Sequence, residues 1–497
     1  MRRVWMRELA GWIGALAIAV ASTAQVASSA RAELLFRDGD SLIVAMFSRS
    51  LLSGQPLDWA MSSVLFLPES AVFTALDAVL PLPVNGVLAI NAVVNMLALY
   101  GAFRLVAGRR HTDMAPVAWA LLAVAAFAII ATTETSASRD ALELASLQLT
   151  TTYYSATVVA VVLSVGLVRR LLDLTGRGIG LFVALGATAT ISTLSNPLYA
   201  AWATVPIFLL LAAMSFRSQQ RVRMGVVLAV LLIGTALGFL GRIPLQAWIA
   251  NTGAGYVQPG EWMQSLEYYG GLLADRLSTP AGVVGSLLVL ALLVLAVVRS
   301  FRADDAGSRF VAAIGWVMPL LVVVGAIALG THAARYLQPA VFAPVLALVA
   351  MPSTVRAPIR VRSILAATAA ALLVVAGSLS IPRLVAASAS ADPDLQCVTS
   401  WVNASGRTGA GQFWTVRLPK LHLDEPSQLV QVDHELNGYA WLVNRHDFAV
   451  GGVTFLVEDA QTVPWQLAAI PDGTIECGRY RILDFGDTAL PLGPQRS

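Results

Sequence analysis

Residues 281–302 read AGVVGSLLVLALLVLAVVRSFR. No charge falls between Ala281 and Val298, and the run closes on Arg299 and Arg302. About 20 apolar residues in a helix cross the roughly 30 Å hydrocarbon core of a bilayer, so this stretch has the length and chemistry of a membrane span. The pattern recurs at 9–30, 84–103, 115–132, 154–168, 178–194, 198–214, 225–241, 311–330, 337–352 and 363–381, which predicts about 11 spans. Composition points the same way. Hydrophobic residues make up 57% of the 497, charged residues only 13%, about half the charged share of a soluble domain. A soluble enzyme is excluded.

Arginines orient the spans. They cluster on alternate loops: Arg2, Arg3 and Arg7; Arg104, Arg109 and Arg110; Arg169, Arg170 and Arg177; Arg217, Arg221 and Arg223; Arg299, Arg302 and Arg309; Arg356, Arg360 and Arg362. Short loops rich in Lys and Arg stay cytoplasmic. The expected fold is therefore an all-α polytopic membrane bundle with its N-terminus inside. An odd number of spans puts the chain after residue 382 outside. The first span, with Ala30-Arg31-Ala32 behind it, also carries some marks of a signal peptide; its length and Arg31 favour an uncleaved helix.

The two predicted regions are 1–382, a transmembrane domain with an exterior loop 31–83, and 392–497, a small exterior α/β or mostly β domain. The second has β-like runs at Gln412–Val416, Leu429–Val432, Val453–Val457 and Arg479–Leu483, broken by Gly, Asp, Asn and Pro. Both cysteines, Cys397 and Cys477, fall there, and two thiols in one small exterior domain are expected to form a disulfide. Lys420 is the only lysine. The arginine-for-lysine bias, with abundant Ala and Val, suggests a GC-rich bacterial genome and hence a multi-pass protein of the bacterial plasma membrane.

Three exterior segments hold most of the remaining charge. The first opens Phe36-Arg37-Asp38-Gly39-Asp40 and continues as a helix-like stretch 41–53, too short to span and bearing Arg49. The second, 133–153, carries Glu134, Arg139, Asp140 and Glu143. The third, 242–280, is rich in Trp and Tyr, as suits an interfacial helix or a lid. Asp38 and Asp40, two residues apart across a glycine, suit a general base or oxygen ligands to a divalent cation, and Asp140 and Glu143 are further candidates for metal or acceptor contact. The alternative for all four is an acidic loop facing water. Asp433-His434-Glu435 and His446-Asp447 lack a third ligand at metal spacing. No P-loop, dinucleotide fingerprint or nucleophile elbow occurs, and nothing points to nucleic acid.

The order Asp38-x-Asp40, Arg49, Leu51-Leu52-x-Gly54-Gln55, Asp58-Trp59 resembles the first exterior loop of the GT-C superfamily of membrane glycosyltransferases. Ser195-Asn196-Pro197-Leu198 is similar to that superfamily's Ser-Asp-Pro-Leu turn, with Asn196 in place of the acid. Arg335-Tyr336-Leu337-Gln338-Pro339 is similar to its Arg-Tyr-Leu-x-Pro signature. The resemblance implies a polyprenyl-phosphate-linked sugar as donor and a cell-envelope glycan, lipid or protein as acceptor. It further implies Asp40 or Asp38 as base, and Arg335 on the lipid phosphate with Tyr336, His332 and Arg49 assisting. Mg2+ or Mn2+ dependence stays open. The rival readings are a polysaccharide polymerase or ligase, which carries its long loop later in the chain, and a secondary transporter, which places ionisable groups at mid-membrane.

Overall fold

A computed structural model describes residues 2–108, 114–174, 176–216, 219–354 and 358–496. Arg109, Arg110, Arg217 and Arg356, counted above among the loop arginines, lie outside the described residues. The chain divides into two compact units, one comprising Met1–Leu34, Ala89–Ile243 and Ala254–Ser388, the other Leu35–Leu88, Pro244–Gly253 and Ala389–Ser497. Most of residues 31–83 thus group with the C-terminal region.

The first unit is a helix bundle. Every stretch predicted to span is helical, and among the described residues seven helices are long and apolar enough to cross a membrane. These are Trp5–Ala27, Val84–Val106, Ser155–Asp173, Arg221–Gly241, Pro280–Arg302, Ala306–Ala328 and Ala366–Ser388. Pro116–Thr132, Ile179–Ser195, Ala200–Ser215 and Ala334–Ala350 are equally apolar but shorter. Ser155–Asp173 is largely enclosed by its neighbours, whereas Pro280–Arg302 and Ala366–Ser388 turn most of their apolar side chains outward. Apolar side chains on the outside of a bundle are at home against lipid and costly against water.

Arginine locks one end of this bundle. Arg169, buried in the last turn of Ser155–Asp173, donates from Nη1 to the carbonyls of Val106 (2.7 Å) and Val349 (2.8 Å). Those carbonyls close two other helices and have no partner of their own there, so one guanidinium fastens three helix ends. Asn196 performs a comparable task in the Ser195-Asn196-Pro197 turn. Its Nδ2 donates to Thr157 Oγ1 (2.9 Å), and its Oδ1 accepts from the Leu198 amide (3.0 Å). The amide has a structural occupation where the superfamily signature has an acid.

The second unit is α/β. Seven strands form one sheet in the order Gly493–Arg496, Asn437–Tyr439, Leu429–Val432, Gly409–Gln412, Phe455–Glu458, Tyr480–Asp484, Gly473–Cys477. The central strand Gly409–Gln412 runs parallel to both neighbours, and the outer pairs on the Phe455–Glu458 side are antiparallel. One core of Val398, Val416, Leu429, Phe455 and Ile482 packs against the sheet, and another gathers Ala410, Val430, Leu456 and Phe485. Cys397 and Cys477 are joined by a disulfide.

The expected strand Gln412–Val416 is a correction. Strand ends at Gln412, and Phe413–His422 is a helix. Phe413 and every residue from Thr415 to Leu421 are buried, a continuous run that the in-out alternation of a half-buried strand does not produce. The stretch 41–53 does form a helix, Ile43–Leu52, with Ile43 to Ser48 all buried. It sits beside the helix Leu67–Val79, where Ser48 donates to Asp77 Oδ2 (2.7 Å).

Candidate functional site

Within the bundle, the segment 133–153 is built around a charged knot. Arg31 is almost fully buried and donates from Nε to Ser146 Oγ (2.8 Å) and from Nη1 to the carbonyls of Ser136 (3.0 Å) and Ser138 (2.9 Å). Glu134, also closed to solvent, lies 3.9 Å from both Arg31 and Arg276. Its oxygens accept from the amides of Ala145 (2.9 Å) and Ser146 (2.7 Å). Glu143 completes the set, 3.7 Å from Arg31 and 3.6 Å from Arg276. Burial pushes the Glu134 carboxyl upward against the pull of the two arginines, and lowers Arg31 in turn. Two arginines and two glutamates balance. Such a knot, tied to the backbone through Arg31 and Glu134, holds a loop in one shape.

What that loop delivers is the environment of Arg335. Tyr154, at the loop's end, stands before the helix Ser155–Asp173 with φ +67°. Left-handed backbone costs a non-glycine residue on the order of 1 kcal/mol or more. Here it turns the phenol to the arginine: Arg335 Nε donates to Tyr154 Oη (3.2 Å). Asp140 Oδ1 lies 3.8 Å from Arg335 Nη1, and the guanidinium stands 5.8 Å from the centre of the Tyr336 ring. Gln338 Nε2 donates to the Tyr153 carbonyl (2.9 Å), and Trp202 Nε1 to the Tyr336 carbonyl (3.1 Å). The Arg-Tyr-Leu-x-Pro segment is therefore fixed on both sides. Arg335 keeps about a fifth of its side chain exposed. A partly exposed guanidinium with its aliphatic stem among aromatic rings is suited to a phosphate oxygen pair.

His332 lies close by in sequence but has its own surroundings. Its Nδ1 is 3.8 Å from Glu261 and its ring packs edge-on against Tyr268 at 5.6 Å. Tyr269 shares a hydrogen bond with Thr331 Oγ1 (2.7 Å). Both tyrosines belong to the helix Trp262–Leu277, where only Ser265 and Tyr269 are buried and Trp262, Met263, Leu266, Leu273 and Leu277 stay exposed. The aromatic-rich third segment thus contains a helix that leaves most of its large apolar side chains exposed.

Asp38 and Asp40 belong to the other unit. Asp38 Oδ2 accepts from the Ser41 amide (3.1 Å) and hydroxyl (3.2 Å), closing a turn of its own. Arg417, fully buried, donates from Nε to the Gly39 carbonyl (2.6 Å) and from Nη1 to the Leu442 carbonyl (2.6 Å). Burial draws this guanidinium down to about 10, and the nearby Asp40 and Asp38 carboxylates oppose the shift. Gly39 serves close approach. A Cβ there would sit 3.1 Å from the Trp414 ring and 3.3 Å from Arg417 Cδ. Arg49 donates from Nη1 to the carbonyls of Leu421 and Leu423 (3.2 Å to the latter).

Sequence reasoning singled out Arg335 and Tyr336 but not the residues that surround or brace such groups, Tyr154, Arg31, Arg276 and Arg417. A signal existed for the arginines: each stands outside the dense loop clusters, where an arginine has no topological task. Among the described residues no three Asp, Glu, His or Cys side chains converge. Asp140 and Glu143 face guanidinium groups, and Asp38 and Asp40 lie beside Arg417. No protein-family model and no curated protein matches this chain in sequence.

Proposed function

We propose that the chain is a bacterial cell-membrane glycosyltransferase with eleven spans, its N-terminus inside and the 392–497 region outside, taking sugar from a polyprenyl-phosphate donor. The observation that carries this reading is Arg335, a partly exposed cation held by the strained Tyr154 and flanked by Tyr336 and Asp140. The alternating arginine loops support the orientation, and the outward apolar faces of Pro280–Arg302 and Ala366–Ser388 support residence in lipid.

The chemistry asked of the chain is modest. The acceptor hydroxyl attacks the anomeric carbon, its proton passes to a carboxylate, and the bond from that carbon to the phosphate oxygen breaks with the electron pair leaving on the lipid phosphate. Inversion follows from attack opposite the leaving group. Arg335 stabilises the phosphate charge as it develops. The resemblance assigns the proton to Asp40 or Asp38. A second base has a specific observation in its favour: Asp140 lies within ion-pair range of Arg335.

The test uses the full chain in nanodiscs with undecaprenyl-phosphate hexoses and pentoses and a cell-envelope extract as acceptor. Arg335→Ala should lower transfer at least about a hundredfold, the scale of losing one charge-stabilising donor. Asn variants of Asp38, Asp40 and Asp140, made singly, identify the base as the one whose loss abolishes transfer with donor binding retained. Transfer unaffected by Arg335→Ala, or a chain that turns over none of these donors, overturns the reading.

A further inference from the structure

The second unit holds a cavity of about 350 Å³, at the small end of the roughly 300–1,000 Å³ range of small-molecule sites. It lies between the helix Ile43–Leu52 and the helix Phe413–His422, with Trp59 and Asn444 in its wall. These two residues face each other across a short antiparallel ribbon, Trp59–Ala60 with Val443–Asn444. Arg445 ties the ribbon further, donating from its amide to the Asp58 carbonyl (2.7 Å) and forming a salt bridge with the Asp58 carboxylate (3.1 Å). The wall is built before any ligand arrives.

Its polar groups are fixed in the same way. Lys420, the only lysine of the chain, is buried and spends Nζ on the carbonyls of Pro426 (2.8 Å) and Leu429 (2.6 Å) and on Asp447 Oδ2 (2.9 Å). Asn444 Nδ2 donates to Ser50 Oγ (3.0 Å) and the Pro56 carbonyl (2.8 Å). Arg49 is braced by Nη1 alone. What is left over defines the ligand. Among the described residues Arg49 Nε and Nη2, the Gln55 side-chain amide and Asp447 Oδ1 make no hydrogen bond. These groups offer donors and acceptors side by side.

The charges lining the cavity cancel: Arg49 and Lys420 against Asp424 and Asp447. An anion, which only accepts, would gain Arg49 and meet two carboxylates. A neutral polyol can both donate to Asp447 and accept from Arg49 and Gln55, while its ring carbons lie against the apolar surfaces of Met46, Leu52 and Trp59. We infer that this cavity is a binding site for one neutral sugar unit, an inference that does not rest on the transferase reading. Lys420 acts as the positioning residue that presents Asp447.

The experiment is calorimetry and saturation-transfer NMR on the full chain in nanodiscs. The probes are the methyl glycosides of common neutral hexoses and pentoses, with inorganic phosphate as the anionic comparison. At least one glycoside should bind with a Kd in the millimolar range. Phosphate should neither bind there nor compete. Gln55→Leu should weaken the sugar about tenfold, the worth of roughly 1.4 kcal/mol of hydrogen bonding. Leu52→Trp, at an exposed wall position, should block entry. Neither substitution touches the buried core, so loss of folding does not intervene, and an unchanged melting profile confirms this. Arg335→Ala should leave sugar binding intact, which keeps this result apart from the donor test. Binding of phosphate in place of sugar, failure of every glycoside, or binding indifferent to both Gln55→Leu and Leu52→Trp overturns the inference.

Discussion

Arg31 and Glu134 lie 3.9 Å apart, both closed to solvent and separated by a hundred residues of chain. Neither could be buried alone. An unpaired charge in such a place costs several kcal/mol, and removing one partner of a buried pair leaves the other exposed to that cost. Glu134→Gln keeps the shape but strips the charge from beneath two arginines. It is expected to destabilise the bundle by about 3–5 kcal/mol, read as a lower unfolding midpoint of the full chain in detergent. Glu143→Gln should cost less, because Glu143 is less deeply placed. Equal midpoints for the wild type and both variants would refute the knot's structural role.

Tyr154 is expected to matter for function more than for stability. Its hydroxyl receives the Arg335 Nε hydrogen, and its φ of +67° is a conformation the fold must enforce. Tyr154→Phe removes only the acceptor. Losing one such hydrogen bond is worth about 1 kcal/mol, so donor KM should rise about fivefold with the unfolding midpoint unchanged. Tyr154→Gly relieves the backbone but also deletes the ring beside Trp202, 5.8 Å away. It should raise KM at least as far without stabilising the chain.

How much of this was readable beforehand follows from how local each feature is. The spans were legible because a helix satisfies its own backbone and only its composition must suit lipid. Arg335 was legible through a short motif next to a proline that opens a helix. The knot was not, because Arg31 meets Glu134 and Glu143 only through folding over a hundred residues. The helix Phe413–His422 was misread since Thr415 and Val416 are β-branched, and local propensity yields to tertiary burial, which takes in nearly the whole helix. The grouping of Leu35–Leu88 with the C-terminal region was equally hidden. It rests on long-range ties such as Arg417 to Gly39 and Arg49 to Leu423, and no spacing rule in the sequence announces them.

The disulfide should be the main clamp of the second unit. Cys397 and Cys477 are 80 residues apart and enclose most of the sheet. A loop of that length, closed in the unfolded chain, accounts for about 2–5 kcal/mol. Serine at both positions, or reduction of the wild type, should destabilise this unit by a similar amount and lower its melting temperature, followed by tryptophan fluorescence. The bundle transition should stay where it is. A single unchanged transition on reduction would show that the sheet needs no clamp.

His422 gives the unit a pH dependence whose sign is fixed by its surroundings. It ends the helix Phe413–His422, and its Nε2 is buried with no hydrogen-bond partner among the described residues. Burial first, and then the neighbouring Arg49, hold its pKa down to about 4, against a weaker opposing pull from Asp392. The unfolded chain would protonate this imidazole near 6.5 and the folded one only near 4. Between those values the unfolded state binds the extra proton, so stability falls as the pH is lowered through that window and is complete above it. A shift of this size corresponds to a loss on the order of 3 kcal/mol. Melting of the full chain from pH 7.5 to 4 should show the decline, and His422→Phe, which cannot take up the proton in either state, should flatten it. An equally steep decline in His422→Phe would assign the acid sensitivity to other groups in the sheet.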